Sequence, residues 1–350
     1  MINVLKVVVP SILTFFLGVL ITPFFTNFFY KYKMWKKSPR TEANITTNDF
    51  TKNHNTKSEL STPRVGGIII WVSAILTVCL IYLLSIIFPT NLTEKLNFLS
   101  RNQTLIPFAT LILASLIGLI DDMLQIIGKS SYAKDGLVYR KIKIAAVTLI
   151  GLAISFWFYY KLEVAYIHMP FLGDINLGLW FIPFFILVML AVFSTSVIDG
   201  MDGLSGGIMA TIFTAYAIIA FVNNQIDIAA FCAVISGGTL AFLWYNVPPA
   251  RFYMGETGIL GLTVTLSVIA FMTNSVMVLP IIALPLVLTS ASVIIQMISY
   301  KYFNKHRVFR VAPLHHHFEA IGWSREKVVM RYWIVSVVFA IVGVIVALIS

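Results

Sequence analysis

The stretch Leu105-Ile-Pro-Phe-Ala-Thr-Leu-Ile-Leu-Ala-Ser-Leu-Ile-Gly-Leu-Ile-Asp-Asp122 runs sixteen residues without a charge and then presents two adjacent carboxylates. Apolar runs near this length recur from end to end. Ten are read, over about 5–29, 66–88, 105–120, 142–160, 176–194, 206–222, 227–245, 258–273, 276–300 and 328–349. An apolar helix of about 20 residues crosses roughly 30 Å of hydrocarbon. Backbone amides in lipid must be satisfied within the segment, and a barrel would instead show short alternating strands, so the spans are expected to be helices. Composition agrees: 59% of the 350 residues are hydrophobic and only 11% charged, with a mean hydropathy of +0.89. A soluble domain has about 25% charged residues. The expectation is one all-α, polytopic membrane domain over 1–350. The first run lacks a small-residue cleavage site and is read as a span, not a signal peptide. Pro280 and Pro285 should kink or break the ninth span. Cys79 and Cys232 both fall in apolar runs and suggest no disulfide framework.

Charge orients the bundle. The loops 30–65, 121–143, 246–257 and 301–331 hold 21 of the 25 Lys and Arg. The positive-inside rule makes these loops cytoplasmic and both termini external. The net charge of +10 sits at membrane boundaries and suits an anionic leaflet and anionic substrates; it gives no footprint for nucleic acid. The 31–64 loop is rich in Asn, Thr and Lys and is expected to contain a flexible stretch.

Carboxylates gather at the same boundary. Asp121 and Asp122 follow the third span. Asp199 and Asp202 lie in Ser196-Val-Ile-Asp-Gly-Met-Asp-Gly-Leu204, and Glu256 in Asn246-Val-Pro-Pro-Ala-Arg-Phe-Tyr-Met-Gly-Glu-Thr-Gly258. Taken singly, the Asp pair reads as a solvated helix end and the Asp199–Gly203 segment as an ordinary turn. Three acidic clusters at one membrane edge point instead to a site. A hard divalent cation, Mg²⁺ or Mn²⁺, would relieve their mutual repulsion, often with substrate phosphates completing its shell. The last loop adds Pro313-Leu-His-His-His317, half of all the histidines, near Arg307 and Arg310. That combination can bind a diphosphate or a metal. A His-Glu-x-x-His zinc motif and a phosphate-loop consensus are both missing. An ion path through the acids is the rival reading, but transporters keep such charges near the bilayer midplane.

These pieces resemble the polyprenyl-phosphate N-acetylhexosamine-1-phosphate transferases, most of all their muramoyl-pentapeptide branch. The resemblance rests on Thr62-Pro-Arg-Val-Gly-Gly67, Asp121-Asp122, Asp199-Gly-Met-Asp-Gly203, the 246–258 stretch, and Pro313–His317 with Gly322-Trp323, in the family's order. The unbroken triple His is the specific element. The resemblance implies ten spans in the bacterial cytoplasmic membrane and attack by undecaprenyl phosphate on the sugar-linked phosphorus of a UDP-linked amino sugar. UMP would leave, Mg²⁺ would be the cofactor, and a homodimer is a possible state. It implies that Asp121 or Asp122 activates or positions the lipid phosphate, that Asp199 and Glu256 sit at the Mg²⁺-diphosphate, and that Tyr253 stacks on uracil. Asn246, Gln296, His315, His316 and His317 would line the nucleotide-sugar pocket, with His315 among the catalytic groups. Lys57, Thr62, Ser196 and Asp202 are further substrate-binding candidates. The chain departs from the family at Glu256 (Asp in the family), Ser196 (Asn), Gln125 (Lys), Glu59 (Lys) and Arg64. The last of these looks like relatives that use UDP-N-acetylglucosamine, which keeps that substrate as an alternative.

Overall fold

The computed structural model describes residues 1–36, 60–100, 103–128 and 136–350. Among these, ten helices are long and apolar enough to cross a membrane. They are α1 (Ile2–Lys31), α2 (Ile68–Ile87), α3 (Leu105–Ile127), α4 (Gly136–Lys161), α5 (Phe181–Ser194, extended by tighter turns at both ends to Gly178–Ile198), α6 (Leu204–Val222), α7 (Ile226–Asn246), α8 (Gly255–Met272), α9 (Leu284–Tyr302) and α10 (Arg325–Ile349). Every expected span is there. Helices α6, α7 and α8 are buried along most of their length and form the centre. Helices α1 and α10 lie outside and expose rows of large apolar side chains, Phe16, Leu20 and Phe24 on one and Ile334, Ile341 and Ile345 on the other. Such rows suit a lipid solvent, which is as apolar as the side chains that meet it.

Two helix ends differ from the sequence reading. The third span does not stop at Ile120: α3 continues through Asp121 and Asp122 to Ile127 and ends at Gly128, whose φ is 65°. The carboxylates do not break the helix because partners on α4 and α8 receive them. Helix α8 starts at Gly255, so Glu256 stands in its first turn and not in a preceding loop. The proline expectation holds. A short helix, Leu279–Ile282, ends at Ala283, and α9 starts afresh with Pro285 in its first turn. There the missing amide of proline costs no hydrogen bond.

The all-α expectation needs one correction. Between α4 and α5 the chain makes a two-stranded antiparallel hairpin, Tyr166–Met169 with Gly173–Asn176. Directly opposed His168 and Asp174 join across it, Nδ1 to Oδ1, at 2.7 Å. A short helix, Leu314–Ala320, carries the triple histidine before α10.

Candidate active site

The segments named from sequence converge on one cavity of about 700 Å³. Ser196, Asp199, Glu256, Gln296, His315 and His316 line it, together with Arg64 and Arg140. Six separate parts of the chain therefore meet there: the segment before α2, the start of α4, the turn after α5, the start of α8, α9 and the histidine helix.

The start of α8 is the best-built wall. Gly255 has φ 69°, a conformation that favours glycine, and a methyl group there would run into the Arg64 carbonyl and the Asp122 carboxylate. Beside it the Thr257 amide donates to Asp122 Oδ2 at 2.9 Å, and the Thr257 hydroxyl donates to the Ser115 carbonyl at 3.2 Å. Asp122 thus caps α8 from a different helix, satisfying one of the amides that every helix start leaves open. Its other oxygen, Oδ1, has no partner, although the side chain is fully buried.

Asp121 and Glu256 share a cation. Lys143 Nζ of α4 donates to Glu256 Oε1 at 2.7 Å and to Asp121 Oδ2 at 3.3 Å, and Gln125 Nε2 adds a bond to Asp121 at 2.9 Å. Again one oxygen of each acid is left over: Asp121 Oδ1 and Glu256 Oε2 are buried without partners. Lys143 was absent from the residues proposed from sequence. It opens the apolar part of α4, and there it reads as one more topology-setting charge; its place between two acids comes only from the packing of α4 against α3 and α8.

Asp199 Oδ1 accepts from Ser205 Oγ at 2.8 Å, which orients the carboxylate at the cavity wall. The loop it belongs to is fastened by Asn246, whose Oδ1 accepts from Gly203 N–H at 2.8 Å while Nδ2 donates to the Phe252 carbonyl at 2.8 Å. Trp333 of α10 adds a bond to the Gly203 carbonyl at 3.1 Å. Asn246 was expected to line the pocket. It is buried instead, with both ends of its amide spent on the two loops it joins.

His315 is fully buried, and neither ring nitrogen has a protein partner. Burial, and then the neighbouring His316, hold its pKa well below the ordinary histidine value, so the ring is neutral at pH 7. His316 Nδ1 meets Glu319 Oε2 at 3.1 Å, and Glu319 Oε1 accepts from Arg325 at 2.7 Å. Burial works against the Glu319 charge, but these two partners outweigh it and hold the carboxyl below its usual range. Gln296 Oε1 accepts from the Phe309 amide at 3.0 Å, which ties the following loop to α9.

The other described sequence candidates lie outside the cavity wall. Asp121 and Asp122 adjoin it through Glu256 and Gly255. Thr62 is buried. Tyr253 is half-buried, its backbone paired with Pro63 and Gly66. Asp202 accepts from Ala250 N–H at 3.4 Å; burial raises its pKa against the pull of that amide and Arg325. His317 accepts from the Arg310 amide at 3.2 Å, edge-on to Phe309. Burial and Arg310 lower its pKa. Lys57 and Glu59 fall outside the described residues.

Gly200 is where the Asp199 turn and the histidine helix touch. A methyl group there would stand 2.5 Å from His315 Nε2 and 3.2 Å from His316 Nε2. Gly200→Ala should push His315 off its position and cut turnover about 10²-fold, with substrate-free thermal stability little changed. Kinetics and a melting curve on one preparation check this; wild-type turnover in the variant would remove His315 from the site.

A second groove, of about 440 Å³, lies between α6, α7 and α10. Its lining, Gly207, Ala210, Leu240, Trp333, Val337 and Ile341 among others, has no ionisable group. It can hold apolar matter but offers no chemistry.

The sequence model of Glycosyl transferase family 4 matches residues 104–274, from the start of α3 to just past α8. Similar curated proteins extend the match. The phospho-N-acetylmuramoyl-pentapeptide-transferase of Geobacillus sp. (strain WCH70) is 35% identical over 342 residues, 96% of each chain. That of Geobacillus thermodenitrificans (strain NG80-2) is 34% identical over 343 residues, 97% of each. That of Chloroflexus aurantiacus (strain J-10-fl) is 34% identical over 302 residues, 83% of this chain and 78% of its own. The identity spans almost the whole chain, including every segment that reaches the cavity, and the chain belongs to the phospho-N-acetylmuramoyl-pentapeptide transferase family.

Proposed function

We propose that the protein transfers phospho-N-acetylmuramoyl-pentapeptide from its UDP derivative to undecaprenyl phosphate, forming a lipid-linked diphospho-sugar and releasing UMP. The observation that carries this reading is the meeting of Asp199, Glu256 and the neutral, unpartnered His315 in one cavity of a chain from this family. In the reaction an oxygen of the lipid phosphate bonds to the sugar-linked phosphorus, and the bond from that phosphorus to the bridging oxygen of UMP breaks. Both substrates are anionic, so the work of the protein is positioning and charge stabilisation.

The residues fit that work. Glu256 Oε2 is a buried carboxylate oxygen without a partner, and Asp199 lines the same cavity. Two carboxylates on one cavity wall suit Mg²⁺, which commonly takes one or two carboxylates and fills its shell with phosphates and water. Bound there, Mg²⁺ would screen the diphosphate and stabilise the leaving UMP. Asp122 holds the start of α8, and its free Oδ1 would orient the lipid phosphate. Asp121 and Glu256 keep Lys143 at the same place, adding positive charge. His315, neutral, can donate one hydrogen bond to a sugar or phosphate oxygen without adding charge. The strong Lys and Arg bias of the loops at this end would put the site at the cytoplasmic face of the bacterial inner membrane, with both termini outside.

The test is release of UMP by purified protein given undecaprenyl phosphate and UDP-N-acetylmuramoyl-pentapeptide. The expected result is turnover that EDTA abolishes and Mg²⁺ restores. Turnover with UDP-N-acetylglucosamine in place of the muramoyl substrate would contradict the substrate assignment. Full activity in EDTA would contradict the metal.

A further inference from the structure

Arg64 has no part in the chemistry above, yet its side chain is the most deeply placed cation on the cavity wall. It is only 8% exposed, it lines the cavity with Asp199, Glu256 and His315, and its Nε–H has no acceptor. A guanidinium keeps its charge at any working pH. A buried donor of that kind left without an acceptor is costly, so the position makes sense if a ligand supplies the acceptor.

The backbone holds Arg64 firmly. Its amide donates to the Met34 carbonyl at 3.1 Å, Pro63 before it accepts from the Tyr253 amide at 2.8 Å, and Gly66 after it donates to the Tyr253 carbonyl at 2.9 Å. Gly255 lies against the Arg64 carbonyl and the Asp122 carboxylate together. The guanidinium therefore springs from a backbone clamped to the start of α8, where Asp122 and Glu256 stand.

The nearby cations do not duplicate it. Lys143 is engaged by Asp121 and Glu256. Gln125 is neutral and its amide is turned to Asp121. Arg140 is exposed. An anionic ligand entering the cavity meets, in Arg64, a buried charge that keeps a donor free, and a guanidinium matches the spacing of phosphate oxygens.

We propose that Arg64 binds a phosphoryl group of a substrate through its guanidinium. The identity of that group, lipid phosphate or nucleotide diphosphate, rests on the transferase reading; the phosphoryl contact itself does not. The experiment is equilibrium binding to the full-length, detergent-solubilised protein, with farnesyl phosphate and UDP as the two probes, comparing wild type, Arg64→Gln and Arg64→Lys. Arg64→Gln should raise Kd at least tenfold for one probe or both, and whichever moves identifies the source of the phosphoryl group. Arg64→Lys keeps the charge but loses the fork and should raise the same Kd about threefold or more. Both Kd values within twofold of wild type in Arg64→Gln would overturn the proposal, as would a wild type that binds neither probe. If Arg64→Gln does not fold, Arg64→Lys decides, and unchanged Kd values there overturn it. A wild type that binds a probe through Arg64 but releases no UMP with any UDP-amino sugar would sink the transferase reading and leave this one standing.

Discussion

Asp122→Asn should lower UMP release by about 10³-fold or more, a barrier increase of about 4 kcal/mol, while the protein melts close to the wild-type temperature. The asymmetry follows from the two oxygens. Oδ2 is used structurally, accepting from the Thr257 amide at 2.9 Å. An asparagine carbonyl can accept that same bond, so α8 keeps its cap. Oδ1 has no partner in the protein, and it is this oxygen that the asparagine replaces with an amide nitrogen. Asp122→Ala is the control: it removes the cap as well, and losing a cap costs about 1 kcal/mol. Its melting temperature should fall where that of Asp122→Asn does not. Near-normal turnover in Asp122→Asn would reduce Asp122 to a helix cap.

Lys143→Met is expected to have the next largest effect. The ammonium holds Asp121 and Glu256 at 3.3 and 2.7 Å. Methionine keeps much of the stem's bulk and removes the charge, leaving two acids facing each other with no cation between them. Either one takes up a proton or they move apart, and both outcomes spoil Glu256 as a metal ligand. Turnover should fall about 10²-fold, and the Mg²⁺ concentration for half-maximal rate should rise; Lys143→Arg, which keeps a cation there, should recover part of both. A variant with unaltered metal dependence would show that Lys143 only braces α4. The metal titration separates that case from a loss of rate alone.

The apolar runs made the ten helices legible, because the bilayer imposes its thickness on sequence. Local chemistry foretold the break at Ala283, since Pro280 and Pro285 cannot both continue one helix. Long-range pairing was less legible. The end of α3 was read seven residues short because two adjacent aspartates look like an exit to water; their partners, Lys143 and Thr257, come from α4 and α8. The same cause hid Lys143 and the joining role of Asn246. A lysine at a span boundary carries the ordinary orienting signal, and an asparagine in a motif does not declare that its amide is spent joining Gly203 to Phe252. The hairpin at 166–176 is short, and its residues do not stand out against the apolar runs on either side. Ser196, Asp199, Glu256, Gln296, His315 and His316 share one wall, and all but Gln296, which lies inside α9, stand near a turn that glycine or proline marks in the sequence.

The lipid product tests the proposed reaction most directly. Purified protein in nanodiscs, given undecaprenyl phosphate, UDP-N-acetylmuramoyl-pentapeptide and Mg²⁺, should yield a lipid whose mass is that of undecaprenyl diphosphate joined to the muramoyl-pentapeptide. UMP should form in equal amount, and the Asp122→Asn preparation should yield neither. A lipid product carrying N-acetylglucosamine from a mixed substrate pool, or no lipid-linked sugar under conditions where an authentic transferase makes it, would contradict the account.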